Sequence, residues 1–95
     1  MVNRADYSGI FETIEGLRKQ IEELMPSVRE SIDDIINNNI TSSIIIERLL
    51  DQLLDYTSLG LGERDFKRLN QHYTIINQEN AAFYEREFNI LREDD

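Results

Sequence analysis

The chain contains 95 residues, of which 40% are hydrophobic and 31% are charged, and its formal net charge is −9. This length and composition favour one folded domain over residues 1–95 rather than a disordered chain. The excess of acidic groups argues against binding to nucleic-acid phosphates or anionic membranes, and it favours a basic partner. The absence of cysteine excludes disulfide and thiolate chemistry.

The N-terminal segment shows no sign of a targeting sequence. Residues 1–6 contain no apolar core of the kind found in signal peptides. No stretch approaches the roughly 20 apolar residues of a membrane span. We therefore expect a cytoplasmic protein without membrane association, and we expect residues 1–6 and 93–95 to fray at the ends of the domain.

The first third of the chain predicts two helices separated by Pro26. Because the residue before a proline avoids the helical conformation, we expect helices over about 8–24 and 26–37, with a single kinked helix as the alternative. Asp6 or Ser8 is the expected cap of the first helix. Its apolar residues recur at intervals of four and three, close to a heptad seam: Ile10, Ile14, Leu17, Ile21, Leu24 and Val28.

The Asn37–Asn39 run indicates the next break, because asparagine tolerates the left-handed conformation that ends helices. A helix over about 43–57 follows, and its expected cap is one of Thr41, Ser42 and Ser43. Its apolar face is wide, so we expect this helix at the centre of the bundle.

Gly60 is the expected residue that ends the helix over 43–57. A further helix is predicted over about 63–75. Asn77 can cap a last helix over about 78–92, although one long helix is the alternative. The fold class is therefore all-α, a small bundle of four to five amphipathic helices, with an up-and-down order of helices as our first expectation.

The residues that usually carry catalysis are sparse in this chain. There is no cysteine nucleophile, only one histidine, and no glycine-rich loop of the kind that binds phosphates. We therefore expect no enzymatic activity, no metal site and no cofactor.

One pattern of carboxylates points to the alternative, an enzyme. Glu12-Thr13-Ile14-Glu15 and Glu30-Ser31-Ile32-Asp33 form an ExxE…ExxD arrangement that resembles the all-α nucleoside triphosphate pyrophosphatases. The resemblance covers about a quarter of the chain. It implies a Mg²⁺-dependent nucleotide pyrophosphatase in which facing helices hold the ion between these four acids, since Mg²⁺ prefers hard oxygen ligands.

A row of acids on the helix over 43–57 is the main candidate for a binding surface. Glu47, Asp51 and Asp55 recur every four residues and therefore stack on one face. Such like-charged pairs destabilise a helix by roughly 0.2–0.5 kcal/mol each. Either cations of the same chain pair with these acids, or the acids dock a basic partner. The cations within reach in the sequence are Arg48, Arg64, Lys67 and Arg68.

The aromatic pair Phe83 and Tyr84 adds a second candidate contact, because neighbouring residues of a helix cannot both face inward. We assign Tyr84 to the partner-binding surface together with the acids. The sequence thus favours a small acidic protein–protein interaction module, a regulator, inhibitor or adaptor of a basic partner. A mimic of nucleic acid is a further alternative.

The heptad-like seam of the first helix also predicts assembly. We expect a homodimer, because a small bundle gains apolar burial by pairing and a regular seam suits helix–helix contact. The other helices of the same chain are the alternative cover for this seam.

Overall fold

The structure is a computed structural model that describes residues 4–93, with side chains from 9 to 92. Four helices make up most of it: α1 (Arg4–Asn37), α2 (Ser43–Thr57), α3 (Glu63–Ile76) and α4 (Gln78–Glu93). Within residues 4–93 there is no strand, which confirms the all-α prediction and the packing of several helices together. The up-and-down order of the helices stays a prediction, and fraying of residues 1–3 and 94–95 lies outside the described residues.

The predicted break at Pro26 is wrong, because α1 is one continuous helix of 34 residues with Pro26 inside it. Proline removes one backbone hydrogen bond, here the one to the Glu22 carbonyl, and crowds that carbonyl. Met25 and Val28, on either side of the proline, are both buried. Core packing therefore outweighs the local penalty. The helix also begins at Arg4, so Asp6 and Ser8 lie inside it rather than at its predicted start.

The link between α1 and α2 contains an asparagine in the left-handed conformation, as predicted. Asn39 has a φ of 49°, in the left-handed region. The Ile40 amide donates to the Ile35 carbonyl at 2.9 Å, which satisfies a carbonyl at the helix end. The Ser42 hydroxyl then accepts from the Ile45 amide at 3.3 Å and caps α2. The predicted bounds of 43–57 are confirmed.

The other two links are also built from the predicted residues. Gly60 has a φ of 80° at the end of α2, a conformation that strongly favours glycine. Asn77 separates α3 from α4, and its side-chain oxygen accepts from the Asn80 amide at 3.0 Å. These contacts resolve the last segment into two helices rather than one.

The central helix is α3, which packs against α1, α2 and α4. The prediction that the helix over 43–57 lies at the centre is therefore wrong. α1 is also linked to α3 by two ion pairs, from Arg29 to Asp65 at 3.2 Å and from Arg68 to Asp33 at 2.6 Å. The side chains that are almost completely buried are Ile32, Ile46, Leu50, Leu53, Phe66, Leu69 and Tyr73.

The part of α1 that precedes Leu17 extends beyond the body formed by the other helices. A 34-residue helix is about 51 Å long, close to the longest dimension of the molecule, 54 Å. The shorter helices α2 to α4 cannot cover that length. Within residues 4–93, none of the helices combines the length and the apolar character needed to cross a lipid bilayer.

Replacing Pro26 with alanine tests the continuity of α1. We expect Pro26→Ala to raise the free energy of unfolding by about 2 kcal/mol. A proline inside a helix destabilises the folded state by more than its restriction of the unfolded chain stabilises the protein. Chemical denaturation measures this, with the neighbouring exposed Ser27→Ala as a control that should gain only about 0.5 kcal/mol. A loss of stability in Pro26→Ala would show that the proline starts a new helix.

Candidate partner-binding surface

The three acids on α2 form a continuous row, which we call the acidic ridge: Glu47, Asp51 and Asp55. Eight residues separate its ends, so it extends for about 12 Å along the helix. Asp51 and Asp55 are exposed and Glu47 is half-buried. The orientation of α2 is set by its buried face, on which Ile46 and Leu50 lie against the core. The predicted common face of the three acids is therefore present.

Neutral donors from α3 and α4 hold the first acid of the ridge. The Tyr73 hydroxyl donates to Glu47 Oε2. The Asn80 side-chain amide donates to the same oxygen at 3.0 Å and also lies 3.3 Å from the Tyr73 hydroxyl. Two hydrogen bonds thus fix the position of Glu47, and neither donor brings a positive charge to it.

The second acid has an equivalent arrangement, whereas the third does not. The Tyr84 hydroxyl donates to Asp51 Oδ1 at 2.8 Å. At Asp55 the contact involves the backbone, because the Ser58 hydroxyl donates to the Asp55 carbonyl at 2.6 Å. The ridge is therefore held firmly at its Glu47 end and is open to solvent at its Asp55 end.

Two of the four cations considered as internal partners contact other acids. Arg68 pairs with Asp33, and Lys67 pairs with Glu63 at 3.4 Å. Within the described part of the chain, no ion pair within 4.0 Å involves a ridge carboxylate. Glu47 and Asp51 instead accept hydrogen bonds from neutral groups. From the sequence we considered pairing with cations or docking of a basic partner, and we did not include neutral donors.

The aromatic pair on α4 is arranged oppositely to the assignment made from sequence. Tyr84 is 5% exposed and Phe83 is 48% exposed. Their rings pack edge to face, with centroids 5.4 Å apart. Tyr84 therefore acts from beneath the ridge by holding Asp51, and Phe83 is the aromatic group that solvent or a partner can reach.

The environment of Tyr84 changes its acidity. Burial raises the pKa of the Tyr84 hydroxyl above its ordinary value of 10.0, and the hydrogen bond to Asp51 and the charges of Asp51 and Glu47 raise it further. All of these effects disfavour the phenolate. The hydroxyl thus remains a hydrogen-bond donor to Asp51 well beyond neutral pH.

The four acids of the pyrophosphatase-like pattern do not face one another. Glu12, Glu15, Glu30 and Asp33 all lie on α1, one continuous helix. Glu15 and Glu30 are 15 residues apart, about 22 Å along the axis, and Asp33 is paired with Arg68. Within one chain these residues cannot close around a single ion. The described residues contain no cluster of three or more side chains placed to hold a metal.

Comparison with known proteins adds no relative. The chain matches no protein-family model, and neither the curated proteins nor the solved structures contain a significant match. Any functional argument therefore depends on the geometry of the chain itself.

Removing the Tyr84 hydroxyl tests the support beneath the ridge. We expect Tyr84→Phe to lower the free energy of unfolding by about 1 kcal/mol, since a largely buried hydrogen bond to a carboxylate is lost while the ring stays packed. Denaturant unfolding provides the measurement. Tyr56→Phe is the matched control, because the Tyr56 hydroxyl accepts from Gln52 in an exposed position. Equal effects of the two variants would contradict the supporting role of Tyr84.

The same tyrosine predicts a dependence on alkaline pH. Because the folded pKa of Tyr84 lies above that of the unfolded chain, the unfolded chain releases its proton first as pH rises past about 10. The free energy of unfolding should therefore fall with rising pH in that range. Denaturation at a series of pH values should show a shallower fall for Tyr84→Phe than for the wild type. Identical slopes would contradict this origin.

Proposed function

We propose that this protein is a protein–protein interaction module, a regulator, inhibitor or adaptor that docks a basic partner on its acidic ridge. The observation that carries the proposal is the hydrogen bonding of Glu47 and Asp51 by neutral donors. Such donors fix the position of a carboxylate without cancelling its charge. A positioned charge binds a partner at a lower cost in ordering than a mobile one does.

The energetics of α2 support the proposal. The like charges of the ridge oppose one another at intervals of four, and no cation of the described chain forms an ion pair with them within 4.0 Å. A basic partner would supply the missing positive charge. The exposed Phe83 packs against Tyr84, whose hydroxyl holds Asp51. Phe83 therefore offers an aromatic contact to a partner, and aromatic residues often anchor interfaces.

The test compares two sets of three neutralising substitutions. The ridge variant carries Glu47→Gln, Asp51→Asn and Asp55→Asn. The control variant carries Glu23→Gln, Glu30→Gln and Asp34→Asn. The control acids are exposed, and their spacing places them together on the outer side of α1. Both variants lose three negative charges, so net charge alone cannot separate them.

We expect the ridge variant to lose a partner that the wild type and the control variant both capture from extract. Capture by the wild type should weaken as salt rises, because screening acts on exposed charges. Quantitative mass spectrometry identifies the proteins affected. A thermal melt should show that the ridge variant is no less stable than the wild type. The substitutions relieve the repulsion between the acids, and the new amides at positions 47 and 51 can still accept the hydrogen bonds of the original carboxylates. Equal losses in both variants would defeat the proposal.

A further inference from the structure

α1 and the C-terminal end of α2 form an apolar groove. On the α1 side it is lined by Leu17, Ile21 and Leu24, and on the other side by Tyr56 and Leu59. Ile21 is buried, whereas Leu17 and Leu24 are 48% and 49% exposed. We call this the α1–α2 groove. Two of its apolar side chains are therefore accessible to a partner.

The apolar face of the groove continues towards the N-terminus of α1. Ile10 and Ile14 are 56% and 42% exposed, and their spacing places them on the same face as Leu17. From Ile10 to Leu24 this face extends for about 21 Å, or roughly four turns, along the helix axis. A partner helix of similar length can cover such a face with side chains at intervals of three and four. The length of the face thus favours a helix over a small ligand.

The groove is negatively charged where it meets α2. Among the described residues that line it, only Asp55 carries a formal charge. Asp55 is exposed, and no ion pair of the described chain within 4.0 Å includes it. The last turn of α2 contains no basic residue, so the negative end of the helix dipole adds to the charge of Asp55. The groove is therefore complementary to an apolar surface with a cation beside it.

We propose that the α1–α2 groove binds an amphipathic helix of a partner protein, with lysine or arginine side chains of that helix against Asp55. The inference rests on the proposed function, because Asp55 is both a residue of the groove and the open end of the acidic ridge. The groove contributes apolar contact, and the ridge contributes attraction and orientation. The partner segment is thus a helix of about four turns, with one apolar face and with cations along the edge nearest the ridge.

A second copy of the chain is a poorer occupant of the groove than a basic helix. Each copy has a net charge of −9. The α1 face of a second copy would bring more acids than bases towards Asp55, and like charges that face each other across an interface oppose binding. The homodimer expected from the heptad-like seam is therefore the competing outcome of the experiments. Within residues 9–24 the acids are Glu12, Glu15, Glu22 and Glu23, and the bases are Arg18 and Lys19.

The part of α1 that precedes Leu17 gains stability from such a partner. Gly9 and Gly16 lie within it, and no atom lies within 4 Å of the position that a Cβ would occupy at either residue. Glycine destabilises a helix interior relative to alanine, and a helical segment without tertiary contacts is only marginally stable in water. Burial of Ile10 and Ile14 by a partner helix would therefore stabilise this segment.

The first experiment follows the backbone amide NMR signals of the isotopically labelled whole chain during titration with a synthetic peptide. The peptide is a leucine–lysine sequence of about 16 residues, long enough to cover the face from Ile10 to Leu24, with leucine at intervals of three and four. One control peptide has the same composition in an order without an apolar face. The other control has glutamate in place of lysine.

We expect the largest shifts within residues 10–24 and 55–59 on addition of the leucine–lysine peptide. Binding of both controls should be weaker by at least about tenfold, because one lacks the apolar face and the other repels Asp55. Absence of binding by the leucine–lysine peptide, equal binding of a control, or shifts confined to other surfaces would overturn the proposal.

The second experiment compares two pairs of substitutions in the same titration. The groove variant carries Leu17→Gln and Leu24→Gln, and the control variant carries Ile44→Gln and Ile75→Gln. All four residues are exposed, and both pairs leave the net charge unchanged. The control residues lie in the first turn of α2 and the last turn of α3, away from the groove. We expect about tenfold weaker peptide binding for the groove variant alone. A thermal melt checks that each variant is folded, and equal affinities of the two would overturn the proposal.

Light scattering coupled to size exclusion tests the competing occupant. At tens of micromolar we expect the free wild type to have the mass of one chain. A wild-type dimer that the groove variant dissociates would assign the groove to a second copy and overturn the proposal.

The groove variant also separates this inference from the proposed function. In the capture experiment it should lose the same partner that the ridge variant loses. Loss by the ridge variant alone would overturn the role of the groove and leave the proposed function standing. Equal loss by the ridge variant and its acidic control defeats the proposed function itself, so the two failures are distinguishable.

Discussion

The burial of Tyr73 in the centre of the bundle determines both the core and the candidate site. Its ring is 0% exposed on α3, the helix that packs against the other three. Its hydroxyl reaches the surface of α2 and donates to Glu47. A buried tyrosine needs a hydrogen-bond partner, and the first acid of the ridge supplies it. The packing of α3 therefore fixes where the ridge can lie.

The local part of this fold could be predicted from sequence, and the long-range part could not. Asn39 and Ser42 act through backbone groups a few residues away, so their residue types alone predict the helix ends. Pro26 illustrates the reverse case. The penalty of a proline is local, but the burial of Met25 and Val28 that outweighs it depends on helices that follow later in the chain. The same dependence made α3 rather than α2 the central helix.

The candidate site could likewise be predicted only in its local features. Helical periodicity predicts that Glu47, Asp51 and Asp55 share a face, and they do. Their donors could not be inferred, because Tyr73 is 26 residues from Glu47 in the chain and Tyr84 is 33 residues from Asp51. The sequence did contain a partial indication of these donors. A tyrosine at a core-facing position needs an acceptor for its hydroxyl, although the sequence does not say which acceptor.

The difference between a neutral donor and a cation decides what the ridge can do. A lysine or arginine bound to Glu47 would hold it equally well, but it would cancel the charge that a basic partner recognises. Tyrosine hydroxyls and the Asn80 amide hold Glu47 and Asp51 with no such loss. Two of the four candidate cations, Lys67 and Arg68, instead stabilise Glu63 and the α1–α3 contact. At these contacts the cations stabilise the fold. The neutral donors orient the ridge carboxylates without reducing their electrostatic field, which can therefore attract a basic partner in water.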